Sequence, residues 1–318
     1  MPSVGFIGLG NVGSKLAGTL VRNGLPTMVL DRDPNAMAQL VAAGAKAALS
    51  PADLARNCEV VITCLPSPAA VAEVMESADG VLAGLQPESI WVEMSTNDAH
   101  EVVRLGARVT EVGGYTADCP VSGGCHRAAT GNISIFAGCD RSTFERLLPL
   151  LSVMGRRVLH TGELGSASQL KVMTNYLASA NLIAVTEALA TCAKVGLDLG
   201  IAYEAIAASS GNSFVHETEG QVILNGTRDI NFTMDLVKKD VGLFIAMAQE
   251  AGMELELGNL VAGIFDDGIK RYGPREWSPN IIRRLEDDYD IEVVAPGFPT
   301  EMLDHEPEAL GGEIRVRR

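Results

Sequence analysis

Short apolar runs alternate with longer stretches of helical period through the first half of the chain. Val4–Ile7, Thr27–Leu30, Val60–Leu65, Ile90–Met94, Arg108–Val112 and Ser134–Ala137 read as strands, with Ser14–Asn23 and Ala36–Ala43 as helices among them. Strands alternating with helices imply an α/β fold with a mostly parallel, doubly wound sheet. Strands covered on both faces appear as unbroken apolar runs, and Val60-Val-Ile-Thr-Cys-Leu65 is one.

Beyond Gly165 the β signal fades. Residues 166–195 contain neither proline nor glycine, and Gly196 supplies a stop. At 1.5 Å per residue this predicts a helix roughly 40 Å long, enough to join two domains. Further helical stretches around 201–209, 214–224, 234–251 and 256–271 make the second half mainly α. The apolar stretch 176–196 carries Asn181, Glu187 and Lys194, so it reads as a buried helix of a soluble domain and not as a membrane span.

Length and composition narrow this picture. A chain of 318 residues predicts two domains, and 47% hydrophobic with 20% charged residues describes a folded soluble protein. Forty acidic against 25 basic residues leave a net charge of −15, which argues against nucleic acid as a partner because phosphate binding needs a basic surface. The six cysteines, at 58, 64, 119, 125, 139 and 192, form neither a CxxC pair nor a Cys/His ligand spacing. They predict reduced thiols, no metal site and a cytoplasmic location. Met1-Pro2-Ser3 runs directly into a strand, so no secretory leader is expected.

The last 34 residues, 285–318, hold ten Asp/Glu against three Arg and are interrupted by Pro296, Pro299 and Pro307. They read either as a solvated, partly extended tail or as an arm that wraps a neighbouring subunit, with Val293, Val294, Phe298, Ile314 and Val316 available to bury.

The strongest chemical signal is Gly8-Leu9-Gly10-Asn11-Val12-Gly13, which follows a strand and opens a helix. Gly8 permits the tight turn, Gly10 admits a pyrophosphate to the backbone and Gly13 lets helix and strand pack closely. Asp31 ends the second strand 18 residues later, where its carboxylate can accept from a ribose 2′-hydroxyl. That carboxylate favours NAD over NADP, although the neighbouring Arg32 could pair with a 2′-phosphate if Asp31 turned away.

Two further signals follow. Asp118-Cys-Pro-Val-Ser122-Gly123-Gly124 combines a hydroxyl with unobstructed backbone N–H groups, an arrangement able to cradle a carboxylate, though such a sequence also serves as a plain turn. Lys171 and Asn175 stand four apart on the long helix and share a face, so both can meet one ligand; an exposed lysine there would be only a solvated charge. Partial burial brings an ammonium toward the working range of a general acid/base.

Taken together these segments resemble the β-hydroxyacid dehydrogenase family over about residues 4–285. The matches are Gly8–Gly13, Asp118–Gly124, the Gly165…Lys171…Asn175 helix and Asp235-Leu-Val-Lys-Lys239-Asp240. The resemblance implies a Rossmann dinucleotide-binding domain (1–164), an all-α substrate and oligomerisation domain (165–285) and an acidic extension (286–318), with the active site between the two domains. Lys171 falls on the family's catalytic lysine. Ser122, Gly123 and Asn175 fall on residues holding the substrate's carboxylate and hydroxyl, and Gly124 completes the loop. Leu65 and Pro66, with Thr96, correspond to loops lining the cofactor, while Phe232 and Lys239 match positions closing over the nicotinamide. The family implies NAD or NADP as cofactor, a small β-hydroxy acid or aldehyde acid such as 3-hydroxyisobutyrate or tartronate semialdehyde as substrate, and a homodimer or homotetramer.

The chain departs from the family at Asn97-Asp98-Ala99-His100, where an apolar residue and Ser-Pro are usual, and at Cys125-His126-Arg127, which are larger and more polar than the usual small residues. An Arg beside the turn could recognise a second acidic group, or it could lie on the outer face of a helix start. Rival readings are an imine reductase, against which the presence of Lys171 argues, a dehydrogenase of a larger substrate, and a non-catalytic nucleotide-sensing scaffold of the same fold.

Overall fold

The computed structural model describes residues 2–316. It divides into two compact units, one running through Lys171 and resuming at Asp304, the other Val172–Leu303. The boundary therefore falls inside the long helix, and the acidic extension is shared between the units.

In the first unit the order is β1 (Val4–Ile7), α1 (Gly13–Arg22), β2 (Thr27–Leu30), α2 (Pro34–Ala42), β3 (Lys46–Ala47), α3 (Pro51–Asn57), β4 (Val60–Thr63), α4 (Pro68–Glu76), α5 (Val81–Gly84) and β5 (Ile90–Glu93). It continues with α6 (Ala99–Glu111), β6 (Tyr115–Asp118), β7 (Val121–Ser122), α7 (Gly124–Thr130), β8 (Ile133–Gly138), α8 (Arg141–Met154) and β9 (Gly155–Gly162). The helix α9 (Ser166–Lys194) leads into α10 (Leu199–Ala207), α11 (Phe214–Asn225), α12 (Met234–Glu250), α13 (Glu256–Tyr272), a 3₁₀ turn (Ser278–Ile282) and α14 (Arg283–Tyr289) of the second unit. A last strand, β10 (Gly312–Glu313), belongs to the first.

The strands lie in the order β10-β9-β8-β6-β5-β4-β1-β2-β3, with β7 paired to β8. All pairs are parallel except those β8 makes with β6 and β7. Alternation sends Phe6, Ile62 and Val92 into one core layer and Ile7, Val61 and Trp91 into the other, so both faces are covered. The chain's winding reverses between β1 and β4, the place where doubly wound sheets open a crevice beyond the carboxyl ends of their strands.

One sequence expectation is overturned. Arg108–Val112 is not a strand but the end of α6, which Asp98 caps by accepting from His100 N at 2.7 Å. Its β-branched residues suit a strand in isolation, yet Val102, Leu105 and Val109 recur at helical spacing and are fully buried, so tertiary burial overrides propensity. The strand begins later, at Tyr115.

The helical unit has its own core, in which Leu182 and Leu189 of α9 meet Val222-neighbouring Ile223, Val241 and Phe265. By length and composition alone α9 could cross a membrane, with mean hydropathy 1.3 over its most apolar window. Only 39% of that window is buried, less than the sequence suggested. The extension is neither loose nor simply solvated: in its first half Val293 is fully buried in the helical core, and in its second half Asp304–Glu313 lie against the sheet unit.

Candidate active site

The dinucleotide turn is built by close backbone approaches. Gly8 has φ +97°, and a Cβ there would stand 2.2 Å from the Cys64 carbonyl oxygen. A Cβ on Gly13 would stand 2.0 Å from the Gly8 carbonyl oxygen. Gly10 differs, because nothing in the protein lies within 4 Å of where its Cβ would be. The space at Gly10 is what a pyrophosphate requires. Val12 leads into α1 without a side-chain cap, and the helix has no acid in its first turn, which leaves its positive end for an anion. Asn11 is exposed beside it.

Asp31 faces this turn. Its Oδ2 accepts from Leu9 N at 2.5 Å and its Oδ1 from Asp33 N at 2.8 Å, which holds the carboxylate beside the glycine turn. Arg32 turns outward to pair with Glu73 at 2.8 Å. The residues present thus fit a nicotinamide dinucleotide.

The loops after β4 and β5, carrying Leu65 with exposed Pro66 and half-buried Thr96, are tied together by a residue the sequence reading missed. Glu93 is wholly buried at the end of β5, accepting from Ser95 N at 2.9 Å and from the Thr63 hydroxyl. Ser95 Oγ in turn accepts from Leu65 N at 2.8 Å. Burial pushes the Glu93 carboxyl up to about 7 against the pull of these donors.

The segment 118–124 performs two tasks. Asp118, wholly buried, accepts from Gly165 N at 3.0 Å and Ser168 N at 2.7 Å, so it supplies the side-chain cap of α9 from across the fold. Burial raises its carboxyl above the usual range even though these N–H groups favour the charge. Four residues on, Ser122 ends β7, and Gly123 and Gly124 take φ +128° and +87°, conformations that exclude larger residues. The His126 ring would lie 2.8 Å from a Cβ on Gly124, and the Arg127 stem 3.3 Å from one on Gly123. Lys171, only 6% exposed, follows on α9, one turn beyond the Asp118 cap.

In the helical unit Asn175 Nδ2 donates to Asp240 Oδ2 at 2.6 Å, and Lys239 Nζ pairs with Asp240 Oδ1 at 2.7 Å. Asp240, 1% exposed, thus joins two of the residues singled out from the sequence. Phe232 is half-buried against the helical core and accepts from Ser278 N through its carbonyl. Glu93, Asp118 and Asp240 are buried acids holding the candidate residues in place that sequence reasoning passed over. The last two stood inside the quoted motifs, which was the available signal.

Residues 3–162 match a family model described as the NAD binding domain of 6-phosphogluconate dehydrogenase, and residues 165–285 match one described as NAD-binding of NADP-dependent 3-hydroxyisobutyrate dehydrogenase. The chain is 32% identical to 2-(hydroxymethyl)glutarate dehydrogenase of Eubacterium barkeri, over 83% of this chain and 88% of that one. It is also 32% identical to NAD-dependent L-serine dehydrogenase of Pseudomonas aeruginosa, over 90% and 98%. Among solved structures it resembles 3-hydroxyisobutyrate dehydrogenase from Salmonella typhimurium, with TM-score 0.82 and 28% identity over 89% of this chain and 99% of that one. With a Rossmann turn shaped for a nicotinamide dinucleotide and relatives that are dehydrogenases across nearly their whole length, the chain is an NAD(P)-dependent oxidoreductase and belongs to the β-hydroxyacid dehydrogenase family.

Proposed function

We propose that this enzyme interconverts a small β-hydroxy acid and the corresponding aldehyde acid, with Lys171 carrying the proton and the Ser122-Gly123-Gly124 turn holding the substrate carboxylate. The carrying observation is the double role of residues 118–124. Asp118 anchors the start of the helix that bears buried Lys171, and Ser122 to Gly124 form the positive-φ turn, so a single short segment sets both the proton carrier and the acid-binding backbone. Such shared scaffolding fixes reacting groups at little entropic cost.

When bound, the nicotinamide accepts the hydride in oxidation and returns it in reduction. Lys171 as the free amine takes the hydroxyl proton during oxidation, and as the ammonium gives it back during reduction. Asn175, one helical turn away on α9 and held by Asp240, is assigned to the substrate hydroxyl. The inward Asp31 and outward Arg32 favour NAD over NADP, since the carboxylate repels a 2′-phosphate while the guanidinium is engaged with Glu73.

The enzyme works as a homo-oligomer assembled through the helical unit, whose Leu177, Leu197, Ile201 and Leu260 are each more than half exposed. Its six free cysteines suit a reducing compartment, the cytoplasm.

The test is turnover of a panel of 3-hydroxyisobutyrate, glycerate, serine and sulfonated analogues with each nucleotide, in wild type and Lys171→Ala. The variant is expected to bind NADH normally, followed by nicotinamide fluorescence, while kcat falls by roughly 10²–10⁴-fold. A nearly intact kcat in Lys171→Ala overturns the assignment of the proton carrier. Tight nucleotide binding with no turnover across the panel points instead to a sensing role.

A further inference from the structure

The family models end at residue 285, and the acidic extension lies beyond them. From Asp304 onward it follows a defined path along the sheet unit. Gly312 and Glu313 pair parallel with Arg157 and Val158 of β9. Gly311 N donates to Ser152 O and Ile314 N to Val158 O, both at 2.8 Å. Gly311 passes so close to β9 that a Cβ there would stand 1.8 Å from the Gly155 carbonyl oxygen. Glu308 pairs with Arg22 at 2.9 Å and Glu313 with Arg141 at 2.6 Å. Exposed ion pairs hold little by themselves, so the strand register and the close passage are what set this path.

The beginning of this strap, residues 304–316, makes a different kind of contact. Asp304 Oδ2 accepts from Asn132 Nδ2 at 2.7 Å and from the Thr130 hydroxyl, and Asp304 Oδ1 accepts from Glu306 N at 3.1 Å. Asn132 Nδ2 also reaches the Glu306 carbonyl at 2.7 Å, and Asn132 is wholly buried. Thr130 is the last residue of α7, the helix that begins at Gly124, and Asn132 leads into β8, which pairs with Val121 and Ser122. Arg127 and His126 of α7 lie within the field of the same carboxylate.

A seven-residue helix bounded by Gly123 and Gly131 has little stability of its own, so its position is set by what it packs on. On one side α1 holds it, with Thr19 Oγ1 donating to Ala128 O and Arg22 donating to Ala129 O. On the other the strap's Asp304 gathers Thr130 and Asn132.

We propose that residues 304–316 are a built-in clamp on the substrate-binding turn, with Asp304 as its positioning residue. By tying Thr130 and Asn132, Asp304 keeps α7 and the backbone of Ser122, Gly123 and Gly124 in the arrangement that receives the substrate's acid group. This rests on the reading of that turn proposed above. The strap touches neither hydride nor proton transfer, so its effect falls on substrate affinity and not on the chemical step. It gives this chain a means of tuning acid affinity that the family-matched residues do not contain.

The experiment compares wild type, Asp304→Asn, a chain ending at Leu303 and Ser122→Ala by steady-state kinetics, NADH titration and thermal melting. In Asp304→Asn the KM for the hydroxy acid is expected to rise about five- to tenfold, the scale of one ordinary hydrogen bond, with kcat within about twofold and NADH affinity unchanged. The shortened chain is expected to show at least the same rise; if it does not fold, the point variant decides alone. A wild-type KM in Asp304→Asn beside a raised KM in Ser122→Ala removes the clamp and leaves the turn's role intact. A wild-type KM in Ser122→Ala removes the turn's role itself. A loss of kcat in Asp304→Asn that tracks only the fraction of folded protein, with KM unmoved, marks the strap as structural and overturns the proposal.

Discussion

At the scale of single residues, two of the acids that hold the candidate site's segments, Glu93 and Asp118, are hidden at the ends of strands. Glu93 is held at the end of β5 by the Thr63 hydroxyl and Ser95 N, and through Ser95 it fixes the loop at Leu65. Its carboxyl, raised by burial to about 7, keeps a proton to higher pH than the ordinary 4.5 of an unfolded glutamate. Between those values the native state binds the extra proton, so stability from this group is fully present below the unfolded pKa and is lost as pH rises through the folded one. Replacing Glu93 by Gln removes the titration and keeps the volume. Wild type is therefore expected to lose on the order of 3 kcal/mol relative to Glu93→Gln between pH 4.5 and 8, by urea unfolding at several pH values. Parallel pH profiles for the two proteins would contradict this. Nothing in the sequence separates Glu93 from an ordinary polar strand end, because its burial follows from neighbours distant in the chain.

At the scale of elements, α9 depends on a residue 48 positions before its first turn. Asp118 accepts from Gly165 N and Ser168 N, and replacing it with Ala strands two buried donors. The expected cost is about 2–3 kcal/mol of unfolding free energy, with Asp118→Asn recovering part of it through its amide oxygen. Equal stability of the Ala variant and wild type in urea would refute the capping role. The helix itself was legible in the sequence, since a run free of glycine and proline ending at Gly196 has few other readings. So was the dinucleotide turn, because Gly8, Gly10 and Gly13 each answer a local steric demand. The cap was not, since it couples segments that only the folded sheet brings together. Arg108–Val112 failed for the converse reason: its local preference is for strand, and the buried face of α6 outweighs it. The extension was legible as acidic and interrupted by proline, but its division between helical core and sheet edge depends on partners such as Asn132 and Arg141 that carry no mark of the pairing.

At the scale of the whole molecule, a net charge of −15 keeps copies apart except where apolar surface outweighs repulsion. Such surface is concentrated on the helical unit. Leu197 is 57% and Ile201 71% exposed, and together with Cys192, Ala205 and Ile206 they line an open apolar recess. The nearby charges are few and of both signs, Lys194, Asp198 and Glu204, so approach of a second copy there meets little of the repulsion spread over the rest of the chain. Two aspartates placed in a contact between copies would reverse this balance, because an unpaired carboxylate removed from water costs several kcal/mol. The double variant Leu197→Asp/Ile201→Asp is accordingly expected to lower the mass measured by light scattering to that of a smaller species. Its far-ultraviolet circular dichroism should remain that of a folded protein, since both side chains already face solvent within one copy. An unchanged mass would move the contact to another face of the helical unit, and a monomeric wild type would remove the assembly altogether.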